Sequence, residues 1–512
     1  MERKPVKERR ATNIRLGIIL SYVSLFVGIL ANIFYTPFLL NHLGDRQYGI
    51  YSFVLSITSW FNILSYALND SYIKLASESE KKTGNTSLIN TLYLKLLILI
   101  SLGTIVVSGI LFVFFKFNII PLNKYDPLEQ NILLIIFVMS SLSISISTIL
   151  TLFKLFLNYN EKFILIKAII IIEQITTIAI SVVAILLGAN IVIVALIKMS
   201  ESVLFLLVML FIAKFGFKMG FKNATFAQNK DLIGYILFFS SFMLLGSIIG
   251  EINSSADKII LGFMAGAEYV SIYQLAFTFP NLFGQLSTAI NAVFVPKINK
   301  MKNAGEDEEI RNVFLKISLI QTIVLLLIFG GFISCGKEFV SMWIDNERII
   351  VYYIAIVLIG IDTYYFCSYS STSIEAAYFK QKIPCLIELI IMIFNVILTI
   401  GLLTLLGIKN AYLACLIGTV TAKFIGKWII IPKYDKKVLK LPINKFRQSF
   451  FIYLIFSVVL SFFVIRFADI TGLSTKNYLI RFLIKGSLYV ILFFVFVYLR
   501  GDFKVFHKKT FQ

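Results

Sequence analysis

Apolar residues along this chain fall in runs of roughly 20, long enough to cross a hydrocarbon core about 30 Å thick. Short polar stretches separate the runs. The run Ile98–Phe115 contains no charged residue, whereas a soluble core helix would show a polar stripe. Runs and punctuation predict about 14 spans. The first six are Leu16–Leu40, Tyr48–Leu68, Thr91–Phe115, Asn131–Phe153, Ile164–Leu187 and Ile191–Ala213. Six more follow at Leu232–Ser254, Glu268–Val295, Val313–Cys335, Ile349–Ser371, Ile383–Leu406 and Ala411–Ile431. Gln448–Phe467 and Leu479–Leu499 complete the set. The pattern predicts an all-α polytopic membrane protein.

Composition agrees. Of 512 residues, 58% are hydrophobic and 15% charged, against about 45–50% and 25% in a soluble domain. The net charge of +20 raises the question of nucleic acid. The basic residues, however, sit in short loops rather than on a stripe interleaved with aromatics, so no nucleic-acid partner is expected. With the N-terminus inside, the inner segments hold 31 Lys and Arg and the outer loops fewer than ten. That bias predicts cytoplasmic N- and C-termini. Met1–Arg10 is basic, but the apolar run after it is too long for a signal peptide and reads as an uncleaved first helix.

Chemistry is sparse. Cys335, Cys367, Cys385 and Cys415 lie in or beside apolar runs with no C-x-x-C pair, and His42 stands far from His507. No metal site is expected. The loops are too short for the acceptor site of a membrane glycosyltransferase or polymerase, so no catalytic residues are assigned. No G-x-x-x-x-G-K-[ST] loop occurs, and no cofactor is expected.

The chain repeats itself. Shifted by 222 residues, Leu64-Ser65-Tyr66-Ala67-Leu68-Asn69 lands on Leu286-Ser287-Thr288-Ala289-Ile290-Asn291, and Gly44 meets Gly266. At a slightly different shift, Lys167 with Glu173 matches Lys382 with Glu388, and Leu186-Leu187-Gly188 matches Leu405-Leu406-Gly407. Six spans separate each pair, an even number. Two like-oriented six-helix bundles, 1–213 and 214–431, are therefore expected, related by a pseudo-two-fold along the membrane normal. Residues 432–512 would add two helices and a cytoplasmic tail.

On this frame two motifs stand out. One is Asn32-Ile33-Phe34-Tyr35-Thr36-Pro37-Phe38 with Leu43-Gly44 and Tyr48-Gly49-Ile50-Tyr51; the other is Asp257-Lys258-Ile259-Ile260-Leu261-Gly262 followed by Tyr273. In these, and in its 14 spans and short loops, the chain resembles the Wzx-type polysaccharide-export flippases of the multidrug/oligosaccharidyl-lipid/polysaccharide superfamily. The resemblance implies alternating access and a lipid-linked oligosaccharide substrate carried on undecaprenyl pyrophosphate. It implies a bacterial inner (cytoplasmic) membrane location and a role in O-antigen or capsule assembly. Membrane lipids and other polysaccharide assembly proteins would be the partners, with H+ or Na+ coupling left open. Physics is consistent with this: burying unpaired sugar hydroxyls costs kilocalories each, and a pyrophosphate wants cationic partners.

Charges deep in a span are costly and become candidates for the substrate path. Lys198 and Glu201 lie three apart on one helix face, as a self-neutralising pair or a cavity pair. Asp362 and Lys423 lack local opposite charges, so each needs another helix or a wet cavity. Asp257 and Lys258 lie near the outer end of the hairpin, with Glu251 one to two turns deeper, and form a loop ion pair or, by the resemblance, part of the substrate path or outer gate. Asn69 and Asn291 cap helix ends or touch substrate. Glu173 and Glu388 pair with Lys167 and Lys382, or serve as gate or ion-coupling groups. Lys485 is similar but lies outside the repeat. The rival readings are a cation-coupled multidrug antiporter of the same superfamily and, of a different class, a membrane polysaccharide polymerase.

Overall fold

The computed structural model describes residues 6–470 and 477–502, with side chains omitted in 6–19 and at scattered helical positions, Asn69 among them. The described residues form helices joined by turns, with no strand. They divide into two compact units, Met1–Ser271 and Ile272–Gln512. This partition groups helices by what they touch. The expected boundary at 213/214 groups them by likeness, which is a different question.

The first unit contains α1 (Val6–Thr58), α2 (Ile63–Thr83), α3 (Ser87–Lys116), α4 (Pro127–Tyr159), α5 (Phe163–Leu186), α6 (Ile191–Phe211) and α7 (Lys230–Met264). Helix α8 (Ala267–Ala292) begins in it. Helix α4 is central and packs on α1, α3 and α6, while α5 lies on α1 and α7 on α1 and α2. Its start is written locally. Pro127 takes the first turn, and Asp126 and Glu129 form a capping box, which satisfies two free N–H donors. Arg46 on α1 pairs with Glu129 at 2.6 Å and so ties α1 to that cap.

The second unit adds α9 (Val295–Ala304), α10 (Asp307–Trp343), α11 (Ile350–Cys367), α12 (Ser370–Ala377), α13 (Lys382–Leu406) and α14 (Ala411–Lys423). A π-helical stretch, Phe424–Ile430, leads into α15 (Ile431–Val438), followed by α16 (Ile443–Ile470) and α17 (Tyr478–Leu499). Helix α10 is central and packs on α11, α16 and α17. The last hairpin is bonded to its backbone. The hydroxyl of Ser457 donates to Leu326 O at 3.0 Å, and that of Ser461 to Gly330 O at 2.8 Å. Apolar side chains such as Leu99 and Val106 stay exposed, as lipid-facing surface requires.

Eleven helical stretches among the described residues are long and apolar enough to cross a membrane, so this is a multi-pass membrane protein. The expected count of 14 is not recovered. Expected spans one and two run together across the kink at Gly44. The other two absentees are α7, several of whose side chains are undescribed, and α8, interrupted by Gln274, Thr278, Asn281 and Gln285. The first expected C-terminal limit of span ten also moves, because α11 stops at Cys367 and α12 is a separate helix.

Matched positions of the sequence repeat share local structure. Gly44 and Gly266 both have positive φ, +78° and +114°, where the chain turns between helical segments. Gly188 and Gly407, at +90° and +76°, both follow the end of a helix. Only glycine adopts such angles without strain. Ser65 on α2 bonds Thr148 on α4 at 3.0 Å, and its match Ser287 on α8 donates to Phe366 O on α11 at 2.8 Å. Those are the second-to-fourth and eighth-to-tenth expected spans.

Candidate substrate and ion sites

In the first unit the charged centre is Glu201 on α6. It is buried, and its Oε2 accepts the hydroxyl of Thr177 on α5. Its Oε1 is buried without a partner, as are Gln174 Oε1 on α5 and Ser141 and Ser145 Oγ on α4, while the buried Tyr35 hydroxyl of α1 lies against that of Ser181 on α5. Tyr35 lies within electrostatic reach of Glu201. Further hydroxyls pair nearby, Ser143 with Ser202 at 2.7 Å. A carboxylate among spare hydroxyl and amide oxygens suits a small cation, a proton or water.

The self-neutralising Lys198–Glu201 pair does not form. Lys198 is exposed and takes part in none of the ion pairs between described residues. Glu173 pairs with Lys154 of α4 at 3.5 Å rather than with Lys167. Asp257 and Lys258 lie inside α7, not in a loop, because that helix continues to Met264. Lys258 feels both Glu251, two turns earlier on the same helix, and Asp257. Asn69 carries no description of its side chain.

The second unit brings four charges together. Lys423 of α14 bonds Asp362 of α11 at 2.8 Å, both nearly fully buried. Lys427, one turn on in the π-helical stretch, lies 3.8 Å from Glu388 of α13 and 3.8 Å from the centre of the Tyr365 ring. Lys427 also senses Asp362 and Lys423, so the four charges form one neutral group. A π-helical turn of this kind is frequent at functional sites. Glu388 therefore pairs across to Lys427 and not with Lys382. Asn291 donates to the Ser373 hydroxyl at 2.6 Å, joining α8 to α12. Lys485 of α17 bonds Glu338 of α10 at 2.8 Å, which anchors the last hairpin.

Sequence reasoning overlooked Lys427, Glu338, Glu375 and Asp435, all buried. Lys427 was visible as a second charge in an apolar run. Glu338, Glu375 and Asp435 fell in stretches that read as loops.

The sequence profile of a family described as "Polysaccharide biosynthesis protein" matches residues 15–302. No curated protein sequence matches. Among solved structures the chain is similar to the lipid II flippase MurJ in an inward closed conformation, with TM-score 0.72 and 16% identity, covering 94% of this chain and 98% of that one. It is similar to the MATE multidrug transporter DinF-BH, with TM-score 0.60 and 13% identity over 84% of this chain and 97% of that one. An inward-facing multidrug resistance MATE family transporter of the MOP superfamily gives 0.58 and 11%, over 81% and 95%. At such identities these likenesses establish the fold.

Proposed function

The chain belongs to the polysaccharide biosynthesis protein family, and on that premise we propose that it is a flippase. Its substrate would be an oligosaccharide carried on undecaprenyl pyrophosphate, turned from the inner to the outer leaflet of the bacterial inner membrane for surface polysaccharide assembly. The observation that carries this reading is coverage. The fold of a lipid II flippase accounts for 94% of the chain, whereas the two multidrug transporter folds account for 84% and 81%. Bundles 1–213 and 214–431, with 432–512 appended and both termini cytoplasmic, would alternate access. Substrate moves because each state exposes the site to one leaflet, and it can shift the equilibrium only by binding the states differently.

The charges divide into roles under this reading. Lys198, exposed within its span and outside every described ion pair, is the cation we assign to the pyrophosphate. Lys423 and Lys427 are neutralised by Asp362 and Glu388 and serve the second unit's packing. Glu201, with one oxygen unpartnered, is the group we assign to H+ or Na+ coupling. The same carboxylate favours the rival reading of a cation-coupled antiporter. The test is complementation. Expression in a flippase-deficient strain with the matching sugar pathway should restore surface polysaccharide. Failure there, together with gained resistance to cationic drugs, would favour the antiporter.

A further inference from the structure

Two carboxyl groups that no transport reading uses lie against each other in the second unit. Glu375 is on α12 and Asp435 on α15, 60 residues apart in sequence, and they are 4% and 2% exposed. Their carboxyl groups are within hydrogen-bonding reach of one another, and the Ser371 hydroxyl, one turn before Glu375, reaches Asp435. Neither carboxylate takes part in a described ion pair. Glu375 Oε1 and Asp435 Oδ1 are each buried with no hydrogen-bond partner. The segments are otherwise joined at their rim, where the Tyr434 hydroxyl donates to Lys380 O at 3.0 Å.

Two ionised carboxylates cannot hydrogen-bond, because each only accepts. Buried together they repel, and leaving water penalises both charges. One proton resolves the conflict. It makes one carboxyl a donor, gives the contact a charge-assisted O–H···O bond and leaves a single negative charge that Ser371 helps to solvate. We propose that Glu375 and Asp435 together bind one proton and that this proton latches α12 to α15.

The surroundings favour retention of the proton. Burial, and next the charge of Asp435, push the Glu375 carboxyl up to about 10. Glu388 and Cys385 on α13 and Tyr365 on α11 face Glu375. Tyr434 on α15 faces both carboxyls. Tyr364 on α11 faces Asp435 and is held by Arg447 of α16. On the α9 and α10 sides, Lys302 lies over the Tyr378 ring and Asp307, itself an acid, accepts the Tyr378 hydroxyl; Lys302 forms no described ion pair with either carboxyl. Two carboxyls and one hydroxyl are too few donors for a divalent cation, which takes six or more oxygens or keeps its waters.

The sign of the pH effect follows. With its folded value raised above an unfolded value near 4.5, Glu375 holds a proton that the unfolded chain has lost. Stability is then greatest at low pH and declines as pH rises from about 5 towards about 10. The test uses the full-length protein in lipid nanodiscs at low sodium. Infrared spectra at pH 7 should contain the carbonyl band of a buried protonated carboxyl that Glu375→Gln removes. Thermal unfolding should decline with rising pH in the native protein and more shallowly in Glu375→Gln, whose neutral amide keeps a donor. Should that variant misfold, Asp435→Asn decides: it removes the facing charge, and the band's midpoint should drop by about one pH unit or more. An unchanged band in both variants, or an identical pH slope in Glu375→Gln, overturns the proposal. So does an absent band with sodium-dependent stabilisation that either variant abolishes, which would make the ligand a sodium ion. None of these readouts depends on the flippase assignment.

Discussion

Lys423 Nζ lies 2.8 Å from Asp362 Oδ2, and the two side chains are almost entirely withdrawn from solvent. Each had looked like a solitary charge in its own span. Together they form a bridge between α14 and α11.

Breaking that bridge should cost more than removing it. Lys423→Met or Asp362→Asn alone leaves the four-charge group with one unbalanced buried charge, a loss of about 3–5 kcal/mol. The double variant removes both charges and should recover most of the loss. Thermal unfolding in nanodiscs reads this directly. A double variant no more stable than the worse single would show that the pair is not the unit that matters.

Lys198 behaves differently because no described carboxylate neutralises it. Lys198→Ala should abolish restoration of surface polysaccharide while expression and unfolding temperature stay near native values. Lys198→Arg should retain more activity, within the limits of its different geometry. Full activity in Lys198→Ala would remove the cation from the substrate path.

Glu201 offers a test of coupling. In proteoliposomes, transport by the native protein should respond to an imposed H+ or Na+ gradient, and Glu201→Gln should transport without that response. Equal responses in both would return Glu201 to a structural role with Thr177.

Packing of the last hairpin can be probed at one glycine. A Cβ at Gly330 would fall 2.0 Å from Tyr489 Oη and 2.2 Å from Ser457 Oγ. Gly330→Ala should therefore destabilise by about 1–3 kcal/mol through overpacking. Gly401→Ala, with nothing within 4 Å of the new carbon, should be neutral or slightly stabilising. Similar unfolding temperatures for the two would contradict the contact.

Orientation has a simple chemical readout. Lys436 is exposed on α15, in the stretch that the Lys and Arg bias assigns to the cytoplasm. On a background without the four native cysteines, Lys436→Cys should resist an impermeant thiol reagent in intact cells and react after permeabilisation. Labelling from outside would overturn the assigned topology.

The sequence by itself determined what depends on neighbours along the chain. Apolar run length demanded helices in a bilayer, because no other open segment satisfies its own backbone there. Gly44, Gly188, Gly266 and Gly407 marked the breaks, because left-handed φ is a local requirement and glycine meets it. Charge partners were another matter. Asp362 meets Lys423 across 61 residues and Lys485 meets Glu338 across 147, through helix rotation and axial register that no local pattern encodes. Glu173 and Glu388 have like settings in the sequence, yet one pairs backwards to Lys154 and the other forwards to Lys427. Glu375 and Asp435 carry no sequence signal for the opposite reason. Polar stretches between spans read as solvent-exposed loops, but α12 packs on α9 and α10, and α15 prolongs the preceding helix and packs on α13 and α16, so both carboxyls are buried. Burial is a property of what packs around a residue, so only the tertiary structure could decide it.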